Sequence, residues 1–227
     1  MKNRAVIFDL FGTLINSLST REFDGVLAKM ATILSVREHD FVRLWAQKYD
    51  ERAVGTLTTE ECIKYVCRCL GVQPQGDEVE HAVRLRLDLT RHALVPRRGA
   101  VETISELKTM GYRTGLISDC SEEIPVLWQD ADFAPLIDVP IFSCSVGLKK
   151  PDPRIYLLAC ERLGVRPEDC IYIGDGGSRE LTGASAVGMR AVQIRIPPVD
   201  QRDAHRVDAE EWTGETIHAL PDVLTLV

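Results

Sequence analysis

The chain has 227 residues, 45% of them hydrophobic, which is enough for one large domain or a core domain carrying a smaller one. Lys and Arg number 27 against 34 Asp and Glu, and the formal net charge of −7 disfavours non-specific nucleic-acid binding. The N-terminal apolar run is too short for a signal peptide and no span approaches membrane length, so a cytoplasmic protein with no membrane partner is expected.

The chain opens with an apolar run, Arg4 to Phe8, that predicts a buried β-strand ending at Asp9. Gly12 permits a tight turn beside Thr13, and a carboxylate at such a strand end lies where open α/β sheets keep their ligand crevice. From about Arg21 to Arg91 the pattern is helical. Phe23, Val26, Leu27 and Met30 share one face of a first helix, and Phe41, Leu44 and Trp45 mark a second that Gly55 interrupts. Thr58 and Glu61 form a capping box ahead of Ile63, Val66, Cys67 and Leu70, and Gly71 closes that helix. Pro74 to Gly76 read as a turn, and Glu78 to Leu89 as an Arg-rich amphipathic helix. Four such helices without a strand can bury their faces as a small bundle.

Strand and helix then alternate. Gly99 to Met110 predict a helix, Arg113 to Ile117 a strand ending in Ser118-Asp119, and Ile141 to Ser143 a short strand. Pro153 begins a helix that Gly164 closes after Leu163. Cys170 to Ile173 predict a strand leading to Gly174-Asp175, Glu180 to Val187 a helix, and Arg190 to Ile196 a last strand that Pro197-Pro198 stop. Trp212 to Leu220 read as a helix, followed by a short apolar tail. The expected fold is α/β: a Rossmann-like parallel sheet core with helices on both faces and an inserted helical cap domain. Residues 1–16 and 95–227 form the core and 17–94 the insert, hinged near Leu14 to Thr20 and Leu94 to Gly99.

Four motifs fall at predicted strand ends or in the loops beside them: Asp9-Leu10-Phe11-Gly12-Thr13, GLISDCS over 115–121, GLKKPDPRIY over 147–156, and YIGDGGSRELTGASAVGM over 172–189. In that order they resemble the haloacid dehalogenase-like (HAD) superfamily, whose opening pattern is usually Asp-x-Asp-x-Thr. The resemblance implies an aspartate nucleophile at Asp9, a phosphate-binding hydroxyl at Ser118 and the catalytic lysine at Lys150, with Lys149 an outsider. Asp9, Thr13, Ser118 and Lys150 are thus the expected catalytic residues. Phe11, Gly12, Asp119 and Lys150 are expected to bind a small anionic substrate. Mg²⁺ is the expected cofactor, held by Asp9, the Phe11 carbonyl and Asp175; Glu180 replaces the commoner Asp and either reaches the metal through water or orients Lys150.

The phosphatase branch of the family uses its second opening Asp as general acid and base. Phe11 carries no such proton, so Asp119, the cap or the substrate itself has to supply it. The dehalogenase branch has an aromatic residue there and protonates no halide. It commonly has Ser-Asn where this chain has Ser118-Asp119, and it uses a cap-side arginine, for which Arg37 and Arg43 are candidates. The favoured reading is a Mg²⁺-dependent phosphatase on a small phosphorylated metabolite, the alternatives being a 2-haloacid dehalogenase or a weakly catalytic ligand-binding or regulatory relative. Arg84, Arg86, Arg91, Arg97 and Arg98 motivate the last, and otherwise read as a solvated helix face and hinge. A monomer or homodimer is expected. The seven cysteines read as buried thiols, and His39, His81, His92, His205 and His218 have no ligand spacing.

Overall fold

The computed structural model describes residues 5–195 and 208–227; Arg4, Ile196, Pro197, Pro198 and His205 lie outside that range. β1 (Ala5–Phe8) is buried at every residue. Val6 and Phe8 join one apolar layer while Ala5 and Ile7 join the opposite one. A strand covered on both faces needs no polar alternation, which is why its sequence is a continuous apolar run.

The helical insert follows at once. α1 (Thr20–Ile33), α2 (Glu38–Gln47), α3 (Tyr49–Ala53), α4 (Thr59–Cys69) and α5 (Gly76–Ala93) follow one another without a strand. They enclose a buried cluster with Leu27, Met30, Phe41, Trp45, Ile63 and Val66 at its centre. The sequence pattern predicts four helices here; the fifth is the short α3. The capping box is present, with Thr58 Oγ1 accepting from the Glu61 amide and Glu61 Oε2 accepting from the Thr58 amide. α5 begins earlier than the pattern implies because Glu78 Oε2 accepts from the Gln75 amide at 2.7 Å, which closes the helix start.

The two linkers of the insert run side by side. Arg97 N donates to Leu14 O at 2.8 Å, and the Arg97 side chain donates to Gly12 O at 2.6 Å and Asn16 Oδ1 at 2.9 Å. Arg97 therefore holds the loop after β1 rather than forming a solvated face.

Beyond the insert come α6 (Ala100–Thr109), β2 (Arg113–Ser118), α7 (Glu123–Leu127), β3 (Val139–Phe142), α8 (Ser143–Val146), α9 (Pro153–Leu163), β4 (Cys170–Gly174), α10 (Glu180–Ala186), β5 (Arg190–Ile194) and β6 (Thr216–Ile217). The sheet order is β3-β2-β1-β4-β5-β6 and every pairing is parallel. Ile104 and Leu107 of α6 pack against one face of the sheet, and Ile155, Tyr156 and Leu163 of α9 cover the other. The result is a Rossmann-like parallel sheet between helical layers with an inserted helical region.

The helix expected over Trp212 to Leu220 is absent. Gln193 N donates to Glu215 O and Arg195 N to Ile217 O, both at 2.9 Å, so the open edge of β5 takes this segment as β6. A 3₁₀ turn over Leu220–Thr225 follows, with Pro221 in its first turn. Tertiary pairing outweighs a weak helical pattern here, since an unpaired buried edge leaves backbone donors unsatisfied. Five of the seven cysteines are buried; Cys69 is exposed and Cys144 half-buried, and none is in a disulfide. Among the described residues no helix is long and apolar enough to cross a membrane.

Candidate active site

The strand register brings the site together. Phe8 pairs with Leu116 of β2 on one side and Ile173 of β4 on the other, so Asp9 leaves the sheet between the ends of both neighbours. Its amide donates to Ile173 O at 2.9 Å. Ser118 ends β2 and Gly174 ends β4, which sets Asp119 and Asp175 at the same carboxyl edge.

Lys150 reaches this edge from the loop after α8 and is 5% exposed. Its Nζ donates to Asp9 Oδ1 and to Glu180 Oε2, each at 2.6 Å. Burial opposes the charge on Lys150, but Asp9 and Glu180 outweigh it and hold the ammonium well above its ordinary range. For Asp9 burial is the larger influence and Asp175 adds to it, so the carboxyl is raised although Lys150 pulls it down. Burial and Asp9 together push Glu180 up to about 8.

Glu180 has both oxygens engaged. Oε1 accepts from the Gly176 amide at 3.0 Å, and Oε2 accepts from Tyr172 at 2.8 Å as well as from Lys150. Asp9 is different: Oδ1 takes Lys150, while Oδ2 is buried with no hydrogen-bond partner. Thr13 Oγ1 and Ser118 Oγ are likewise buried and unpartnered. Asp175 sits against Gly12, whose φ of +85° is open to glycine; a Cβ there would lie 2.3 Å from Asp175 Oδ2. The Gly12 amide itself is used within the loop, donating to Ile15 O.

Oxygens of Asp9, Asp175 and Glu180 lie within 4.8 Å of one another. Three carboxylates around a single ammonium leave an excess of negative charge, and hard oxygen donors of this kind suit a divalent cation such as Mg²⁺. The partnerless Asp9 Oδ2 is the atom that such an ion would satisfy.

A cavity of about 140 Å³ opens onto this cluster. It is lined by Asp9, Phe11, Asp119, Lys150, Asp175 and Glu180 among the expected residues; Thr13 and Ser118 are buried close by in sequence but are not part of its wall. Asp119 Oδ1 accepts from the Lys150 amide at 3.0 Å, and burial raises its carboxyl against the pull of Lys150. Phe11 is half-buried and packs on the sheet core.

The insert supplies the opposite wall through Phe23, Tyr49, Arg52, Arg86 and Thr90. Burial pushes the Tyr49 phenol up to about 12, so it stays neutral. Arg37 and Arg43 do not line the cavity; Arg52 and Arg86 do. Arg84 and Arg91 are exposed with partners one helical turn away, Glu80 and Asp88, whereas Arg86 is buried. Reading all the arginines of α5 as solvated therefore fails at Arg86. Helical spacing carried the missing signal: Val79, Ala82, Arg86 and Thr90 lie on one buried stripe.

A sheet of this topology places the acidic cluster and the buried lysine at its carboxyl edge, where open α/β sheets keep their ligand crevice. A family model described as haloacid dehalogenase-like hydrolase matches residues 3–188, and the chain belongs to that family. A glyceraldehyde 3-phosphate phosphatase from Methanopyrus kandleri is 30% identical over 131 residues, covering 56% of this chain and 55% of that protein. The match thus spans about half the length of that curated relative. (S)-2-haloacid dehalogenase 4A from Burkholderia cepacia is 27% identical over 199 residues, 84% of this chain and 82% of the relative. Among solved structures, a HAD phosphatase from Thermococcus onnurineus superposes with a TM-score of 0.65 at 22% identity, covering 100% of this chain and 97% of that one. That likeness shows the fold. The protein is a HAD-superfamily hydrolase with a candidate Asp9, Asp175 and Glu180 metal-binding cluster.

Proposed function

We propose that the protein is a Mg²⁺-dependent phosphatase acting on a small phosphorylated metabolite, with residues 17–94 serving as a cap over a core of 1–16 and 95–227. The observation that carries this reading is Asp175 beside the nucleophile, with Asp9 Oδ2 left without a partner. Two carboxylates this close repel, and a bound divalent cation offsets that repulsion.

Asp9 and Asp175 are the side chains that would hold the metal, with the Phe11 carbonyl as a further oxygen. Glu180 is committed to Lys150, Tyr172 and the Gly176 amide, so its role is to position Lys150. When bound, Mg²⁺ supplies positive charge where phosphoryl transfer builds up negative charge.

Asp9 attacks phosphorus, forming a carboxyl oxygen–phosphorus bond as the bond to the leaving oxygen breaks. Lys150 meets the phosphoryl oxygens from the cavity wall, and the Thr13 and Ser118 hydroxyls, which the family pattern assigns to the same oxygens, are buried outside that wall. Water then attacks phosphorus and regenerates Asp9. Phe11 has no proton for the leaving oxygen. Asp119 lines the same cavity with a carboxyl raised by burial, and is the protein group placed to donate one.

A second reading, carbon–halogen hydrolysis, is favoured by Phe11 itself, because a departing halide needs no proton. One assay separates the two. Phosphate release from p-nitrophenyl phosphate is expected with Mg²⁺ present, to vanish on adding EDTA and to return with excess Mg²⁺. Turnover of 2-chloropropionate that persists in EDTA, with no phosphate release in Mg²⁺, would establish the carbon-centred reaction instead.

A further inference from the structure

The insert side of the cavity holds a buried ion pair that the phosphoryl-transfer steps do not use. Arg86 of α5 and Glu123 of α7 are 5% and 2% exposed. Arg86 Nε donates to Glu123 Oε1 at 3.2 Å, and Thr59 Oγ1 donates to the same oxygen at 2.9 Å. This leaves Arg86 Nη1 and Glu123 Oε2, both buried and both without a hydrogen-bond partner. The Ser121 hydroxyl and the Glu123 amide also act on this carboxylate and, with Arg86 and Thr59, hold it below its ordinary range against burial, while Oε2 itself has no hydrogen-bond partner. Both residues line the cavity that contains Asp9 and Lys150.

Buried polar atoms are normally satisfied, and an unsatisfied donor and acceptor belonging to one ion pair define a complementary ligand group. That group has to accept from Arg86 Nη1 and donate to Glu123 Oε2. A carboxylate or second phosphate would face the glutamate oxygen, and an ammonium would face the guanidinium. A hydroxyl does both, having one O–H and two lone pairs. The adjoining wall suits a short carbon chain: the Arg86 guanidinium lies 4.9 Å from the centre of the Phe23 ring, and Phe11 and Ile124 line the same space. Arg52 lines the same wall with its Nη1 given to Trp45 O at 2.7 Å and Cys62 Sγ at 3.3 Å.

We propose that Arg86 and Glu123 recognise a hydroxyl on the leaving alcohol, so that the preferred substrate is a small phosphate ester bearing a further hydroxyl. The inference rests on the phosphatase reading above. Because Arg86 belongs to the insert and Glu123 to the core, the same hydroxyl bridges the two parts of the molecule while the ester is bound.

The test compares kcat/KM of the wild-type protein with Mg²⁺ for glycerol 1-phosphate and for propyl phosphate, which keeps the chain and lacks the hydroxyls. A site built around a hydroxyl predicts a preference of about 100-fold or more for the glycerol ester, and a ratio below about tenfold overturns the proposal. Glu123→Gln presents an amide donor in place of the acceptor and is expected to reduce that ratio at least about tenfold; an unchanged ratio in a folded variant also overturns it. The wild-type comparison stands even if this variant fails to fold. Absence of phosphate release from both esters and from p-nitrophenyl phosphate is a different failure, that of the phosphatase reading on which the inference depends.

Discussion

Asp9→Asn is expected to lower kcat/KM by at least about 10⁴-fold, because the proposed nucleophile is lost while its surroundings remain. The same change is not expected to weaken the fold. Asp9 is 5% exposed, and burial together with Asp175 disfavours its charge. An asparagine oxygen can still accept from Lys150, and the neutral amide removes the repulsion from Asp175. The melting temperature of the variant should therefore equal or exceed that of the wild type, as expected where a site sacrifices stability for reactivity. Thermal melts followed by circular dichroism alongside initial rates check both parts. An Asp9→Asn protein that keeps full turnover would remove Asp9 as nucleophile, and one that melts much earlier would mean that the carboxylate is structural.

Lys150→Met should do the reverse to stability. Its ammonium bonds two carboxylates at 2.6 Å, and a third lies in the same cluster within 4.8 Å. Removing the cation leaves buried charges uncompensated, for which a loss of about 3–5 kcal/mol is typical. Activity should fall as well, by about 10²–10³-fold, since a preorganised positive group no longer meets the transferring phosphoryl oxygens. The pH dependence carries a sign. Asp9 and Glu180 are raised in the folded protein, Glu180 to about 8, so their protonated forms favour folding and stability is lost as pH rises through the folded value. Without Lys150 these carboxyls are raised further, and on acidification from about pH 8 to about pH 6 the variant should recover more of its melting temperature than the wild type does. A variant as stable as the wild type near the upper end of that range would mean that Lys150 contributes no net charge compensation.

The sheet and the carboxylate at its edge are legible in the sequence because each has a local cause. A parallel strand buried on both faces must be apolar throughout, and Asp9 follows one at the point where the sheet delivers its ligands. The capping box at Thr58 and Glu61 identifies itself in the same way. The segment from Trp212 reads wrongly as a helix because its structure is decided by the free edge of β5, which the local pattern does not contain. Glu180 illustrates a different limit: its position in the motif is clear, but only geometry shows both of its oxygens already engaged. Arg86 is readable in principle. It shares a helical stripe with Val79, Ala82 and Thr90, yet exposed neighbours at Arg84 and Arg91 make the whole face resemble a solvated one.

In the proposed mechanism a phosphoryl group passes through Asp9, and trapping it is the most direct measurement. Wild-type protein quenched in acid during turnover of p-nitrophenyl phosphate with Mg²⁺, then mapped by peptide mass spectrometry, is predicted to carry a hydroxylamine-labile phosphoryl group on Asp9. A phosphoryl group on another residue, or an alkyl ester on Asp9 formed from a 2-haloacid in the presence of EDTA, would contradict it.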